Sequence, residues 1–193
     1  MSLSRPSGLI SSIRRFARAE HGATAVEFAM VSLPLMALIF GVIELAMVLL
    51  VCTTLESATE SAARMIRTGE FQTGGSNTRA DFKALVCARM SWLSAKCASD
   101  LWIDVRTYSN FASLGGSAPQ PGSTFNPAAT CFTAGEPADI VLVRTYFQWR
   151  LFTPLLSVAL EDMGGGSGRR LLSTATAFRN EPYNDNLPVG AAC

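Results

Sequence analysis

Gly22-Ala23-Thr24-Ala25-Val26-Glu27-Phe28-Ala29-Met30 opens an apolar run that continues to Val51. From Phe28 to Ile43 sixteen residues carry no formal charge; Glu44 interrupts, and Leu45 to Val51 resume the run. As a helix at about 1.5 Å per residue, roughly 29 residues reach about 43 Å, more than the ~30 Å hydrocarbon core of a bilayer. A transmembrane helix over 23–51 is therefore expected. Arg5, Arg14, Arg15 and Arg18 precede it, opposed only by Glu20. Positive charge beside a span stays on the cytoplasmic side. Residues 1–22 thus read as a cytoplasmic basic leader and 52–193 as a periplasmic domain, beyond the inner membrane.

An ordinary secretory signal has an apolar core of about 7–15 residues followed by a small-x-small cleavage site. Here the apolar run is longer, and the small residues, Gly22 and Ala23, come before it. Glu27 stands at the fifth position after Gly22. A basic leader, a glycine, and a glutamate five residues on at the head of a long apolar helix form the prepilin processing pattern. The rival reading is a plain uncleaved signal anchor. Cleavage after Gly22 exposes the Ala23 amine. If the helix then moves from lipid into a bundle of like helices, Glu27 needs a partner, because an unpaired buried charge is very costly. A neighbouring subunit's new amine supplies one; at ~4 Å and an effective dielectric near 20 the pair contributes about 4 kcal/mol before desolvation. The alternative is an interfacial acid without a partner.

Several stretches together resemble TadE-like proteins, the minor pseudopilins of tight-adherence (Flp-type) pilus systems. They are Gly22 to Ala29, Pro34, Ile39-Phe40-Gly41-Val42-Ile43-Glu44 and Ala62-Ala63-Arg64. Val141-Leu142-Val143-Arg144 and Ala177-Phe178-Arg179-Asn180-Glu181-Pro182 extend the resemblance. It is most specific over residues 14–68 and weak in 109–138. The resemblance implies a pilin-like fold, an aspartic prepilin peptidase acting between Gly22 and Ala23, and Glu27 with Phe28 in processing and assembly. It also implies Arg14, Arg15 and Arg18 as leader charge. The implied partners are other pilin or pseudopilin subunits, the inner-membrane pilus assembly platform and the lipid bilayer. The implied place is the bacterial inner membrane, with entry into the pilus itself open. A membrane-anchored periplasmic adaptor that aids assembly without entering the fibre fits the same residues.

The 193 residues carry 16 Lys and Arg against 15 Asp and Glu. Basic charge is not pooled in the outer domain, which argues against nucleic acid as a partner. His21, the single histidine, falls in the leader. Asp100, Asp104 and Asp139 are scattered and read as turn or strand-edge acids. No metal-ligand spacing or cofactor motif appears, so neither an enzyme nor a cofactor is expected. Gly164-Gly165-Gly166-Ser167-Gly168 lacks the Lys-Ser/Thr pair of a phosphate loop and reads as a flexible link. Of five cysteines, Cys52 ends the membrane helix, while Cys87, Cys97, Cys131 and Cys193 lie where disulfides persist. Four cysteines allow three connectivities. The preferred one joins Cys87 to Cys97, the nearest pair, and Cys131 to Cys193; free buried thiols are the alternative.

The first helix is expected to run on to residue 68, with Leu55, Ala58, Thr59, Ala62, Met65 and Ile66 as its apolar face and Gly69 as its cap. Pro34 should bend it. Ser76 or Asn77 should cap a second helix over 78–95, with Phe82, Leu85, Val86, Met90 and Leu93 inward. Leu101, Ile103 and Val105 alternate with polar positions, a strand with one buried face. Residues 139–150, apolar on both faces, suggest a central strand. Thr153 to Leu156 suggests a helical turn, and Arg170 to Phe178 a third strand. The Gly- and Pro-rich stretch 109–138 reads as a surface excursion pinned by Cys131, and 180–193 as a tail. Glu44, ~32 Å along the helix from Ala23, is expected at the outer interface, snorkelling or pairing with another subunit. The fold class is α+β: a long N-terminal transmembrane helix packed on a small antiparallel sheet, plus one extra helix. N-terminal sequencing of membrane-extracted protein is expected to begin Ala-Thr-Ala-Val-Glu, and Gly22→Arg to leave the full-length form; a start at Ser2 in peptidase-positive cells overturns cleavage.

Overall fold

A computed structural model describes residues 21–75, 77–115 and 125–183. The chain divides into two units, Met1–Ile43 and Glu44–Cys193. Helix α1 is continuous from His21 to Arg67 and passes through Pro34. In the first unit its apolar side chains are open on all sides, with Phe28, Met30 and Leu33 each more than 70% exposed. In the second unit the helix becomes one-sided. Glu44, Val51, Leu55, Ala58, Thr59, Ala62, Ala63 and Ile66 are buried, at the i, i+3, i+4 spacing of a single face.

That face packs on a three-stranded antiparallel sheet of order β1-β2-β3: β1 Leu101–Tyr108, β2 Ile140–Arg150 and β3 Arg169–Arg179. β2 is the central strand, as its two-faced apolar pattern predicts. Val141, Val143 and Phe147 are wholly buried in the core shared with α1, while Leu142 and Tyr146 are buried on the other face. The hydroxyls of Thr59 and Thr145 make a polar contact between helix and sheet at 2.8 Å. Both residues are fully buried, so each satisfies the other.

The expected second helix is divided. Thr78, rather than Ser76 or Asn77, caps α3 (Arg79–Arg89), after the single turn α2 (Glu70–Thr73). Thr78 and Asp81 form a capping box, each side chain bonding the other's backbone N–H. Ser91 then takes φ 49°, which a continuous helix does not permit; a short 3-10 turn over Ser91–Leu93 leads into α4 (Ser94–Asp100). The predicted stripe survives the break: Phe82, Val86, Met90 and Leu93 are buried, and Leu85 packs half-buried against the core.

Asp104 corrects the expectation of an edge acid. It is 1% exposed and stands opposite Arg144 on β2. Its carboxylate accepts from Arg106 Nε at 2.9 Å and from the Cys131 N–H at 2.8 Å, with Arg144 Nη1 at 3.7 Å. The described parts of 109–138 are likewise more than an excursion. Phe132 enters the core between Phe71 and Phe82, Phe125 stacks on Trp102 and Tyr146, and residues 131–133 pair with Val105 along the outer edge of β1. This segment closes both an edge and a face of the sheet.

After β2, helix α5 spans Pro154–Leu160, longer than the turn expected. The glycine stretch that follows is fastened rather than free. The Gly166 and Gly168 N–H groups donate to the Glu161 carboxylate at 2.6 and 2.7 Å and hold its pKa below the ordinary value. An anion there would compete with the chain's own acid.

Gly69 ends α1 as predicted, in the left-handed region at φ 78°. A Cβ on it would fall 2.5 Å from Cγ of Tyr183. The Tyr183 hydroxyl donates to the Gly135 carbonyl (3.1 Å) and accepts from Gln72 (3.1 Å), while the Glu181 N–H donates to the Arg67 carbonyl. The start of the tail thus clamps the upper end of α1. Gly69→Ala is expected to cost about 1–3 kcal/mol from backbone strain, with the ring clash added. In a Tyr183→Ala background the cost should shrink to the strain alone. Urea unfolding of the detergent-solubilised chain, run as a double-mutant cycle, checks this.

Candidate functional site

The residues singled out at the front of the chain occupy the first turns of α1. Gly22 is half-buried, and Ala23 to Phe28 are exposed. Ala23 and Glu27 are four residues apart and so share a helix face. Among the described residues Glu27 has no ion-pair or hydrogen-bond partner, and Phe28 is 74% exposed. Arg14, Arg15 and Arg18 lie outside the described residues. Ala23, Glu27 and Phe28 thus lie on an exposed helical surface, and none of the described residues of the first unit neutralises the acid.

Glu44, the second acid along the helix, does not snorkel or await another subunit. It is 2% exposed. Its Oε2 accepts from the N–H groups of Phe152 and Thr153, both at 2.9 Å, and from the Thr153 hydroxyl at 3.0 Å. These are backbone groups at the entrance to α5, which the helix itself cannot satisfy. Oε1 is buried without a hydrogen-bond partner among the described residues. The carboxyl group therefore stitches α1 to the chain leaving β2. Thr153-Pro154 is a helix-start signal in the sequence, but nothing local says that the acceptor comes from 109 residues away.

Cys87 and Cys97 form a disulfide with Cα atoms 5.5 Å apart. Cys97 lies inside α4, fully buried, with Met90 Sδ 3.3 Å from its sulfur. The bridge closes the α3–α4 corner where Ser91 breaks the helix. Cys131 is also disulfide-bonded, and Cys193, its expected partner, lies outside the described residues. Cys52 is a free, half-buried thiol. Among the described residues no three His, Cys, Asp or Glu side chains converge as a metal site would require.

One helix near the N-terminus, Gly22–Arg67, is long and apolar enough to cross a membrane, and its most apolar window is 11% buried. With an α+β unit built on its second half, this fits a single-span membrane protein. More particularly, residues 22–64 match the family model for TadE-like proteins. The matched segment begins at the glycine of the processing pattern and takes in both Glu27 and Glu44. No curated protein and no solved structure matches the chain.

Removing the Glu44 carboxyl orphans two backbone N–H groups and a hydroxyl, each costing about 1–3 kcal/mol when buried unpaired. Glu44→Ala is expected to lower unfolding stability by roughly 3 kcal/mol, and Glu44→Gln, which keeps an acceptor oxygen, by less than half of that. Chemical denaturation followed by near-ultraviolet circular dichroism checks the order of the two variants.

Proposed function

We propose that this chain is a minor pseudopilin of a tight-adherence pilus, made as a prepilin and cleaved by an aspartic prepilin peptidase between Gly22 and Ala23. In this reading the leader faces the cytoplasm, α1 crosses the inner membrane, and residues 52–193 stand in the periplasm. The partners are other pilin subunits and the assembly platform. The observation that carries the reading is the TadE-like match over 22–64, which starts at the processing glycine. The exposure of the apolar residues 26–43 supports it, because such a surface requires cover by lipid or by like helices.

The chemistry follows from Glu27. In the precursor the acid sits at the membrane interface and stays hydrated. Cleavage creates an amine four residues away on the same face, and helical packing brings one subunit's amine to another's carboxylate. Assembly is then conditional on processing, because without cleavage no charge exists at that depth to match the acid.

Glu27→Gln is expected to be inserted and processed normally yet to be lost from sheared pili, or to abolish piliation, since an amide cannot neutralise the amine. The processed fraction on a gel and the protein recovered with sheared pili are the two measurements. Accumulated precursor assigns Glu27 to peptidase recognition instead. Normal processing with normal pilus recovery rejects pairing. Wild-type protein absent from sheared pili, with piliation dependent on it, favours the membrane-anchored adaptor.

A further inference from the structure

The domain end that receives the chain from Ile43 has an unusual surface. Glu44 is bonded there to Phe152 and Thr153. The Phe152 ring lies 5.5 Å from that of Trp149, which lies 6.2 Å from Trp92, both pairs edge-on. Trp149 is buried, but Trp92 is 47% exposed, Phe152 60% and, on α5, Val158 75%. Beside Trp149 opens a groove lined also by Lys96, Asp100, Arg150 and Arg169.

Two features of this groove are unfavourable in the chain by itself. Arg150 and Arg169 face each other directly across the β2–β3 ladder, and like charges so placed repel. The indole N–H of Trp149 is buried with no acceptor among the described residues. Nearby acids do not compensate. Glu161 is held by Gly166 and Gly168, and Asp162 accepts from the Leu171 N–H at 2.7 Å. Asp100 is the single acid against three cations in the groove.

We propose that this end of the domain is a foot that rests on the bilayer surface and binds anionic phospholipid. Trp92, Phe152 and Val158 enter the headgroup layer, where amphipathic aromatic rings concentrate. Lys96, Arg150 and Arg169 hold lipid phosphates, which relieves the repulsion of the facing arginines. The occupant is lipid rather than another protein because of chain continuity. Glu44 lies ~32 Å along the helix from Ala23, about the depth at which a ~30 Å hydrocarbon core ends, and its carboxyl is bonded to the backbone of Phe152. The inference rests on the reading that the apolar segment spans a bilayer. Docking would fix the tilt of the domain on the membrane before any assembly step.

The test uses the full-length chain, one copy per nanodisc, in zwitterionic lipid with or without phosphatidylglycerol and with bromine at carbons 6 and 7 of the acyl chains. Tryptophan quenching reports contact. Expected is quenching that grows with phosphatidylglycerol, falls with salt and largely disappears in Trp92→Phe. Each of Lys96→Ala, Arg150→Ala and Arg169→Ala should lower the docked-to-undocked ratio about fivefold at low salt. The proposal is overturned if the chain inserts without Trp92-dependent quenching, if quenching ignores anionic lipid and the cation variants, or if the signal requires two copies per disc. A chain that never enters the disc overturns the spanning reading as well.

Discussion

From Glu44 onward one face of α1 must be dry, and the rest of the domain is arranged to keep it so. A helix cannot bury a face alone; it needs a surface of matching shape. Val51, Leu55, Ala58, Ala62, Ala63 and Ile66 of this face share one core with Val141, Val143 and Phe147 of β2. Thr59 brings a hydroxyl into this interface, and only Thr145, set opposite on β2, makes it affordable. The central position of β2 follows, because the strand in contact with the helix is also the strand most fully surrounded.

The same helix obeys another rule before Glu44. There its apolar residues are open on every side, as a helix solvated by lipid or by its own kind requires. The buried face begins at Glu44 and is taken up again at Val51. An acid at the changeover would be a liability if it faced lipid. It is instead turned onto backbone N–H groups ahead of α5, where it serves as a structural acceptor. Glu27 and Glu44, the two acids within the apolar run of α1, thus differ in kind. Glu44 finds partners within its own chain, and Glu27 finds none among the described residues.

Closure of the domain at its other end depends on Gly69, Tyr183 and Asn180. Asn180 donates to the carbonyls of Ala134 and Glu136, so the exit of β3, the segment before β2 and the top of α1 meet at one point. A tail that looks like an appendage in the sequence is, through residue 183, part of the fold. Burial raises the Tyr183 pKa, in keeping with a hydroxyl held inside this junction.

Periodicity alone determined the long helix, its apolar and one-sided halves, the three strands and the central place of β2, because each signal lies within a few neighbouring residues. The proposal for Gly22 and Glu27 rests on spacing along the chain in the same way. Nearest-neighbour reasoning also reached Cys87–Cys97, since a ten-residue loop brings its ends together readily. Only the tertiary structure decided the roles of Glu44, Asp104 and Tyr183. Asp104 alternates with apolar residues and looks solvent-facing until Arg144 and the Cys131 N–H arrive from elsewhere in the chain. The break at Ser91 depends on packing α3 and α4 into one corner, which no local propensity encodes. Long-range partners turn polar residues into interior ones, and the free energy that permits their burial comes from groups the local sequence does not contain.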